Sequence, residues 1–443
     1  MGRNHEVRYM EKYNEYKDSG VQWLGEIPSH WKTVPFKSIF CLTKGLSITK
    51  ANLVDEGVNV ISYGQIHSKQ NKSIRIVPEL YRKVSKEYLG VSPQSLCNKE
   101  DFLIADTSED IIGSGNFVRV DEEQLLFAGY HTIIARNKKP ENGEFLAYLM
   151  LSDRWRMQIW IQVHGVKLYS ISRGILNATK FLLPSIEEQH AIVSYLDTKC
   201  SKLDTFISNK EKEITLLQEM KQRVIADAVT RGLNPNVKFK PTNIPWLPEI
   251  PEHWNMIKLK ALTFEGKNKN KDNLETNVLS LSYGKIIRKK NINEGLVPAD
   301  YATYQIVEPN DIILRLTDLQ NDHRSLRCGL VKERGIITSA YTCLKKKHGV
   351  AEYFYLLLHS YDIKKVFYSM GGGLRQSMNY SEITRLIVPI PPIEEQHAIV
   401  SYITERTAKI DSLVEKLNKE IECIKEYKQR LISDVVTGQI KVS

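Results

Sequence analysis

The sequence predicts an α+β chain: two domains of mixed α/β structure separated by two long helices, which form an antiparallel coiled coil, the whole being a pseudo-twofold repeat. Three observations predict it. The block IEEQHAIVSY occurs at residues 186–195 and again, letter for letter, at residues 393–402. Each copy opens a run of apolar residues spaced alternately three and four apart. Upstream of each, WLGEIPSHW from Trp23 is echoed by WLPEIPEHW from Trp246.

The repeat keeps a single offset of 207 residues (393 minus 186) for the rest of each helix. Leu203-Asp204 matches Ile410-Asp411, Lys221-Gln222-Arg223 matches Lys428-Gln429-Arg430, and Val229-Thr230 matches Val436-Thr437. In the first copy Val193, Leu196, Cys200, Leu203, Ile207, Lys210, Ile214, Leu217, Lys221, Val224 and Ala228 take heptad a and d positions. In the second these are Val400, Ile403, Thr407, Ile410, Val414, Leu417, Ile421, Ile424, Lys428, Leu431 and Val435. Two such seams most simply pair with each other, because each alone would expose a long apolar stripe. Ser185-x-x-Glu188 reads as a capping box, and Gly232 followed by Pro235 as a stop.

These marks divide the chain into an N-terminal segment with the first domain (1–183), a helical spacer (184–235), a second domain (236–388) and a second spacer (389–443). Within the domains, short β-like runs at 59–66, 131–136, 311–316 and 385–390 mix with one apolar helix pattern each, near Phe145 and near Tyr353. ISYGQI at Ile61 corresponds to LSYGKI at Leu281. Elsewhere the two copies diverge in sequence and loop length, so the scaffold is repeated and its decoration is not.

Composition narrows the function. Lysine and arginine total 62 against 52 aspartates and glutamates, a net charge of +10 that favours a polyanionic partner. The longest apolar runs fall short of the ~20 residues that span a bilayer. MGRNHEVRYMEK at the start lacks the apolar stretch of an export signal, which predicts a cytoplasmic protein. Cys41, Cys97, Cys200, Cys328, Cys343 and Cys423 form no CxxC pair, so neither zinc nor a disulfide framework is expected.

The residues match no catalytic pattern. Ile390-Pro391-Pro392-Ile393 lacks the side-chain oxygen and the stacking ring an adenine methyltransferase places at the ends of such a tetrapeptide. Gly113-Ser114-Gly115 and Gly371-Gly372-Gly373 lack GxGxxG spacing. Glu15-Tyr16-Lys17 and Glu426-Tyr427-Lys428 lack the Pro-Asp partner of a metal-dependent nuclease. Glu187-x-x-His190 and Glu394-x-x-His397 resemble di-iron ligands, but antiparallel pairing puts them at opposite ends of the helices; the glutamates suit the positive end of a helix dipole instead. No catalytic residue and no metal site is assigned.

What remains is a set of basic and polar loops. Phosphates are held by lysine and arginine, and base edges are read by amide and guanidinium groups. The candidate DNA-binding residues are Tyr63, Gln65, Lys69, Lys72, Lys167 and Tyr169 in the first domain, with Arg75 beside Lys72. In the second they are Lys267, Lys269, Lys271, Tyr283, Lys285, Arg288, Lys289, Lys290, Arg375 and Gln376.

YKDSGVQWLGEIPSHW at Tyr16, together with LLPSIEEQHAIVSYL and PIPPIEEQHAIVSYI ahead of heptad helices, resembles the specificity subunit of type I restriction-modification systems, over essentially the whole chain. The resemblance implies two target-recognition domains joined by conserved helical regions, double-stranded DNA as ligand, and a role in DNA methylation and phage defence. It further implies two methyltransferase subunits and, in the full complex, restriction subunits. S-adenosylmethionine, ATP and magnesium would belong to those partners, leaving this chain non-catalytic and without a cofactor. Glu187, Gln189, Leu196, Leu203, Ile207, Leu217, Glu394, Gln396, Ile403, Ile410, Leu417 and Ile424 are the expected partner-docking and coiled-coil residues. The chain departs from the pattern at Pro184-Ser185, opposite Pro391-Pro392, and at His164-Gly165-Val166-Lys167-Leu168-Tyr169, where the second domain has GGGLRQ. Base-contact roles therefore do not carry over from one domain to the other. The rival readings are a coiled-coil adaptor that binds only proteins, which predicts no steeply salt-dependent DNA affinity, and an enzyme active on its own.

Overall fold

The computed structural model describes residues 11–165, 167–289, 301–319, 326–370 and 377–442. Four helices organise it: α1, Gly143–Leu151; α2, Ile186–Arg231; α3, Ala351–Ile363; and α4, Ile393–Val436. The chain divides into two units, residues 1–209 with 420–443, and residues 210–419. Both borders fall inside the long helices, so each unit holds the first part of one and the last part of the other.

In the first unit, Phe102–Ala105 is buried at every position and forms the centre of an antiparallel sheet. Its strand order is Phe117–Arg119, Phe102–Ala105, Thr132–Asn137, Phe40–Lys44. A second sheet pairs Leu126–Ala128 in parallel with Val58–Ile61, followed by Arg82–Val84 and Leu53–Val54. The core is aromatic, with Trp31, Phe36, Phe40, Phe102, Phe145, Trp155 and Phe181 all within 2 % of full burial. Ile192, Val193, Leu196 and Cys200 of α2 join it, as do Leu431, Ile432, Val435 and Val436 of α4. The helix ends are thus part of this core and not accessories to it.

The second unit repeats the plan with different strands. Its antiparallel sheet runs Thr263–Gly266, Thr342–Lys346, Ile312–Leu314, Cys328–Leu330, and α3 packs on Cys328–Leu330. A hairpin, Leu279–Ser282 with Lys285–Arg288, lies beside it. Trp254, Tyr353, Phe354, Leu357 and Tyr361 share their core with Ile225, Ala228 and Val229 of α2 and with Ile399 and Ile403 of α4. The helix patterns read near Phe145 and Tyr353 are α1 and α3.

The heptad seam is visible in the burial of α2. Between residues 203 and 224, Leu203, Ile207, Lys210, Ile214, Leu217, Lys221 and Val224 are half-buried and every other residue is exposed. On α4, Ile403, Ile410, Leu417 and Ile421 are buried, and Ile424 is half-buried. Three seam positions, Lys210, Lys221 and Lys428, are lysines, which bury their stems and carry the ammonium out to water or to a partner; Lys210 reaches Glu213 at 3.3 Å. Lys428 places Nζ 2.7 and 2.8 Å from the two oxygens of Asp204 within the first unit. Lys221 does the same with Asp411 within the second, at 2.6 and 2.7 Å.

Two local expectations change. Residues 59–66 do not stay extended: the strand stops at Ile61 and Tyr63–Ile66 forms a helical turn. Gln65 Oε1 accepts the Ser62 N–H at 3.1 Å and so closes the turn. The matching residue in the second copy, Lys285, carries no acceptor. There the same motif makes a two-residue hairpin turn with positive φ at Tyr283 (44°) and Gly284 (76°). At the start of α2 only half of the capping box forms: Glu188 N–H donates to Ser185 Oγ at 3.3 Å, while the Glu188 carboxylate is engaged elsewhere.

Candidate nucleic-acid interface

The duplicated tryptophan motifs and the duplicated glutamates meet. In the first unit, Glu188 in the first turn of α2 accepts from Trp31 Nε1 at 3.1 Å and from Tyr13 OH at 2.5 Å, with His30 Nε2 at 3.0 Å. Burial first, then the Glu188 carboxylate, push the Tyr13 hydroxyl well above the usual tyrosine range. In the second unit, Glu395 accepts from Trp254 Nε1 at 3.0 Å and faces His253 Nε2 at 2.8 Å. Gln189 and Gln396, both buried, donate to the carbonyls of Pro184 (3.0 Å) and Pro391 (2.9 Å) and fix the turns into the helices. Gln396 also accepts the Val350 N–H at 2.9 Å.

Glu187 and Glu394, the expected docking residues, stay at the surface, and it is the next residue in each copy that turns inward. Glu187 and Glu394 are exposed, as are His190 and His397. The Glu187 backbone N–H and the Ser185 hydroxyl hold the Glu187 carboxyl below its usual range. Among the described residues no cluster of three or more His, Cys, Asp or Glu could hold a metal ion.

Each unit pins a basic loop with one asparagine. Asn71 donates to the carbonyls of Ile66 (2.8 Å) and Phe117 (2.9 Å), which leaves Lys69 and Lys72 on either side exposed. Asn270 is 2 % exposed and bonds the Glu275 backbone through both its oxygen and its nitrogen. Around it Lys267, Lys269 and Lys271 are exposed, as is Asn268, with Lys267 sharing Glu265 at 2.8 Å. A buried asparagine flanked by exposed lysines was present in the sequence as alternating N and K, but read there only as charge.

The other candidates scatter. Gln65 and Tyr63 are half-buried, Tyr63 stacking edge-on to Tyr130 and His131 at 5.6 and 5.5 Å. Lys167 is exposed, and Tyr169 pairs with Ser108 in a short strand. Arg75 departs from the group: its guanidinium lies 2.8 Å from Asp197 and 3.5 Å from Glu144, tying the loop to α2 and α1. In the second unit Lys285, Lys289 and Tyr283 are exposed on the hairpin, and Arg288 pairs with Glu333 at 2.7 Å. Lys290, Arg375 and Gln376 lie outside the described residues.

Beneath the hairpin, His359 of α3 stacks near Tyr355 at 5.7 Å, and its Nδ1 has no hydrogen-bond partner. Burial first, then the Lys221 charge, push its pKa down to about 4. A histidine whose folded pKa lies below its unfolded value binds fewer protons when folded, so stability falls as pH drops below the unfolded value. Wild type should therefore lose about 2 kcal/mol more than His359→Leu between pH 7.5 and 5. Urea melts at the two pH values measure this, and equal losses would count against a neutral buried imidazole.

Residues 28–216 and 251–423 match the type I restriction modification DNA specificity domain. The chain belongs to that family: it is a type I restriction-modification specificity subunit, and its function is DNA recognition. It is 25 % identical over 426 residues to the putative type I restriction enzyme MjaX specificity subunit of Methanocaldococcus jannaschii, covering 95 % of this chain and 96 % of that one. To the type I restriction enzyme EcoKI specificity subunit of Escherichia coli K12 it is 20 % identical over 443 residues, covering 94 % and 90 %. A solved chain from work on complex assembly and conformational transition of the type I R-M system superposes with a TM-score of 0.65, over 93 % of this chain and 98 % of that one. At 14 % identity that likeness is one of fold. Among the described residues no helix is long and apolar enough to cross a membrane.

Proposed function

We propose that the chain reads an asymmetric bipartite target in double-stranded DNA, one half-site with each divergent domain (1–183 and 236–388), while the two long helices pair antiparallel and set the distance. The carrying observation is the pair of copied ion bridges. From Asp204 to Lys221 is 17 residues up α2, and from Lys428 to Asp411 is 17 residues down α4, the register of an antiparallel pair. The exposed first turns, with Glu187 and Glu394, offer two nearly equivalent surfaces for two methyltransferase subunits, and restriction subunits complete the complex. This chain does no chemistry of its own: S-adenosylmethionine, ATP and magnesium act in those partners. The complex works in the cytoplasm of a bacterial or archaeal cell.

The test is a pair of deletions, residues 207–213 and 414–420, one heptad from each helix. Both seams stay in phase, and each helix shortens by about 10 Å, or ~3 base pairs of duplex. Mapping methylated sites in cells should find the same two half-sites about three base pairs closer together. An unchanged spacing would sink the ruler.

A further inference from the structure

The hairpin of the second unit is clamped from below and exposed at its tip. Leu279 is buried, and Leu281 and Ile286 close over the strand Cys328–Leu330: a Cβ on Gly329 would meet Leu281 Cδ1 at 2.6 Å and Ile286 Cδ1 at 2.8 Å. The turn itself is held a second time. The Gly284 carbonyl accepts from Tyr355 OH of α3 at 3.2 Å, and a Cβ on Gly284 would lie 3.1 Å from Leu326 and 3.4 Å from His359. At a φ of 76° a side chain there would be both strained and crowded.

Tyr283, the other turn residue, is 79 % exposed. Its φ of 44° is a left-handed conformation unfavourable to any residue with a Cβ, and asparagine or glycine would close the same turn with less strain. Among the described residues little recompenses the tyrosine, which is left largely exposed. The clamped backbone nevertheless fixes the position from which the ring projects. Lys285 and Lys289 are exposed on the same hairpin, and Arg288 shares Glu333. An aromatic face held among cations suits duplex DNA: the ring packs against base edges such as a thymine methyl, phosphates take the ammonium groups, and a two-stranded ribbon fits the major groove. The first unit does not duplicate this, since Tyr63 of the same Ser-Tyr-Gly motif already packs on Tyr130 and His131.

We propose that Tyr283 is a specificity-determining residue, its ring packing against a base of the half-site read by the second domain while Lys285 and Lys289 engage neighbouring phosphates. This rests on the bipartite reading above.

Three variants of the full chain test it in the complete complex: Tyr283→Asn, which suits the left-handed turn and removes the ring, Tyr283→Ala, and Tyr283→Phe. The readouts are methylated-site mapping in cells and affinity of the purified complex for the mapped site and for a random duplex. Tyr283→Asn should melt no lower than wild type, relax the motif in one half only, and bind the mapped site about tenfold more weakly, with random-duplex affinity unchanged. Tyr283→Ala should match it in DNA binding, and Tyr283→Phe should keep the wild-type motif. The proposal is overturned by an unchanged motif and affinity in the Asn variant, or by an equal loss on random duplex. A wild-type complex that methylates no bipartite site would instead remove the reading beneath it, whatever the variants do.

Discussion

Trp31→Ala should cost its unit about 3–5 kcal/mol, and Trp254→Ala the same in the other. Both indoles are fully buried, and both donate their ring N–H to a glutamate at the start of a long helix. Trp31 also meets Phe145 and Tyr13 edge-on, at 6.4 and 6.0 Å between ring centres. Alanine would therefore open a cavity and remove a donor from a carboxylate that is itself largely buried. The second loss is sharper at Glu395, which keeps only His253 of these donors, than at Glu188, which keeps Tyr13 and His30. Phenylalanine separates the two contributions. It retains most of the volume and should cost only the hydrogen bond, about 1–2 kcal/mol. Denaturant unfolding followed in each unit checks the order Ala, Phe, wild type; an alanine variant within 1 kcal/mol of wild type would refute the junction's structural weight.

Glu100→Gln is the second large expectation, at about 3–5 kcal/mol. Arg119 is 2 % exposed and gives Nη1 to both Glu100 oxygens, at 2.7 and 2.8 Å. Neutralising the carboxylate strands a buried guanidinium whose remaining acidic neighbour, Glu144, lies 3.4 Å away and is 40 % exposed. The effect should reach a basic loop as well. Arg119 Nε holds the Ile74 carbonyl at 3.2 Å, and Ile74 ends the loop that carries Lys69 and Lys72. Thermal unfolding reports the cost. The double variant Glu100→Leu with Arg119→Met should recover most of it, because an apolar pair leaves no charge uncompensated. A double variant as unstable as Glu100→Gln would mean that packing, not charge, dominates.

The long helices were legible because they carry a signal that needs no tertiary knowledge. A heptad seam states which face is buried, and a literal repeat states that the burial happens twice. The tryptophan motifs were equally visible as repeats, but their partners were not: nothing in IEEQ says whether the first or the second glutamate faces the indole, since both suit a helix N-terminus. Loops are the least legible part. Lys69, Lys72 and Arg75 look alike as charge, yet Arg75 has carboxylates within reach on two helices and turns away from the others. SYGQI and SYGKI look like one element, yet a single side chain, glutamine or lysine, decides whether an acceptor exists to wind the turn.

The first unit takes its last core residues, Leu431, Ile432, Val435 and Val436, from the far end of the chain, whereas residues 210–419 form the second unit without interruption. During synthesis the second unit can complete itself while the earlier-made one still waits, its aromatic core lacking a wall until residues 420–443 have been made. Ribosome stalling or termination soon after residue 419 would thus damage the unit that was translated first.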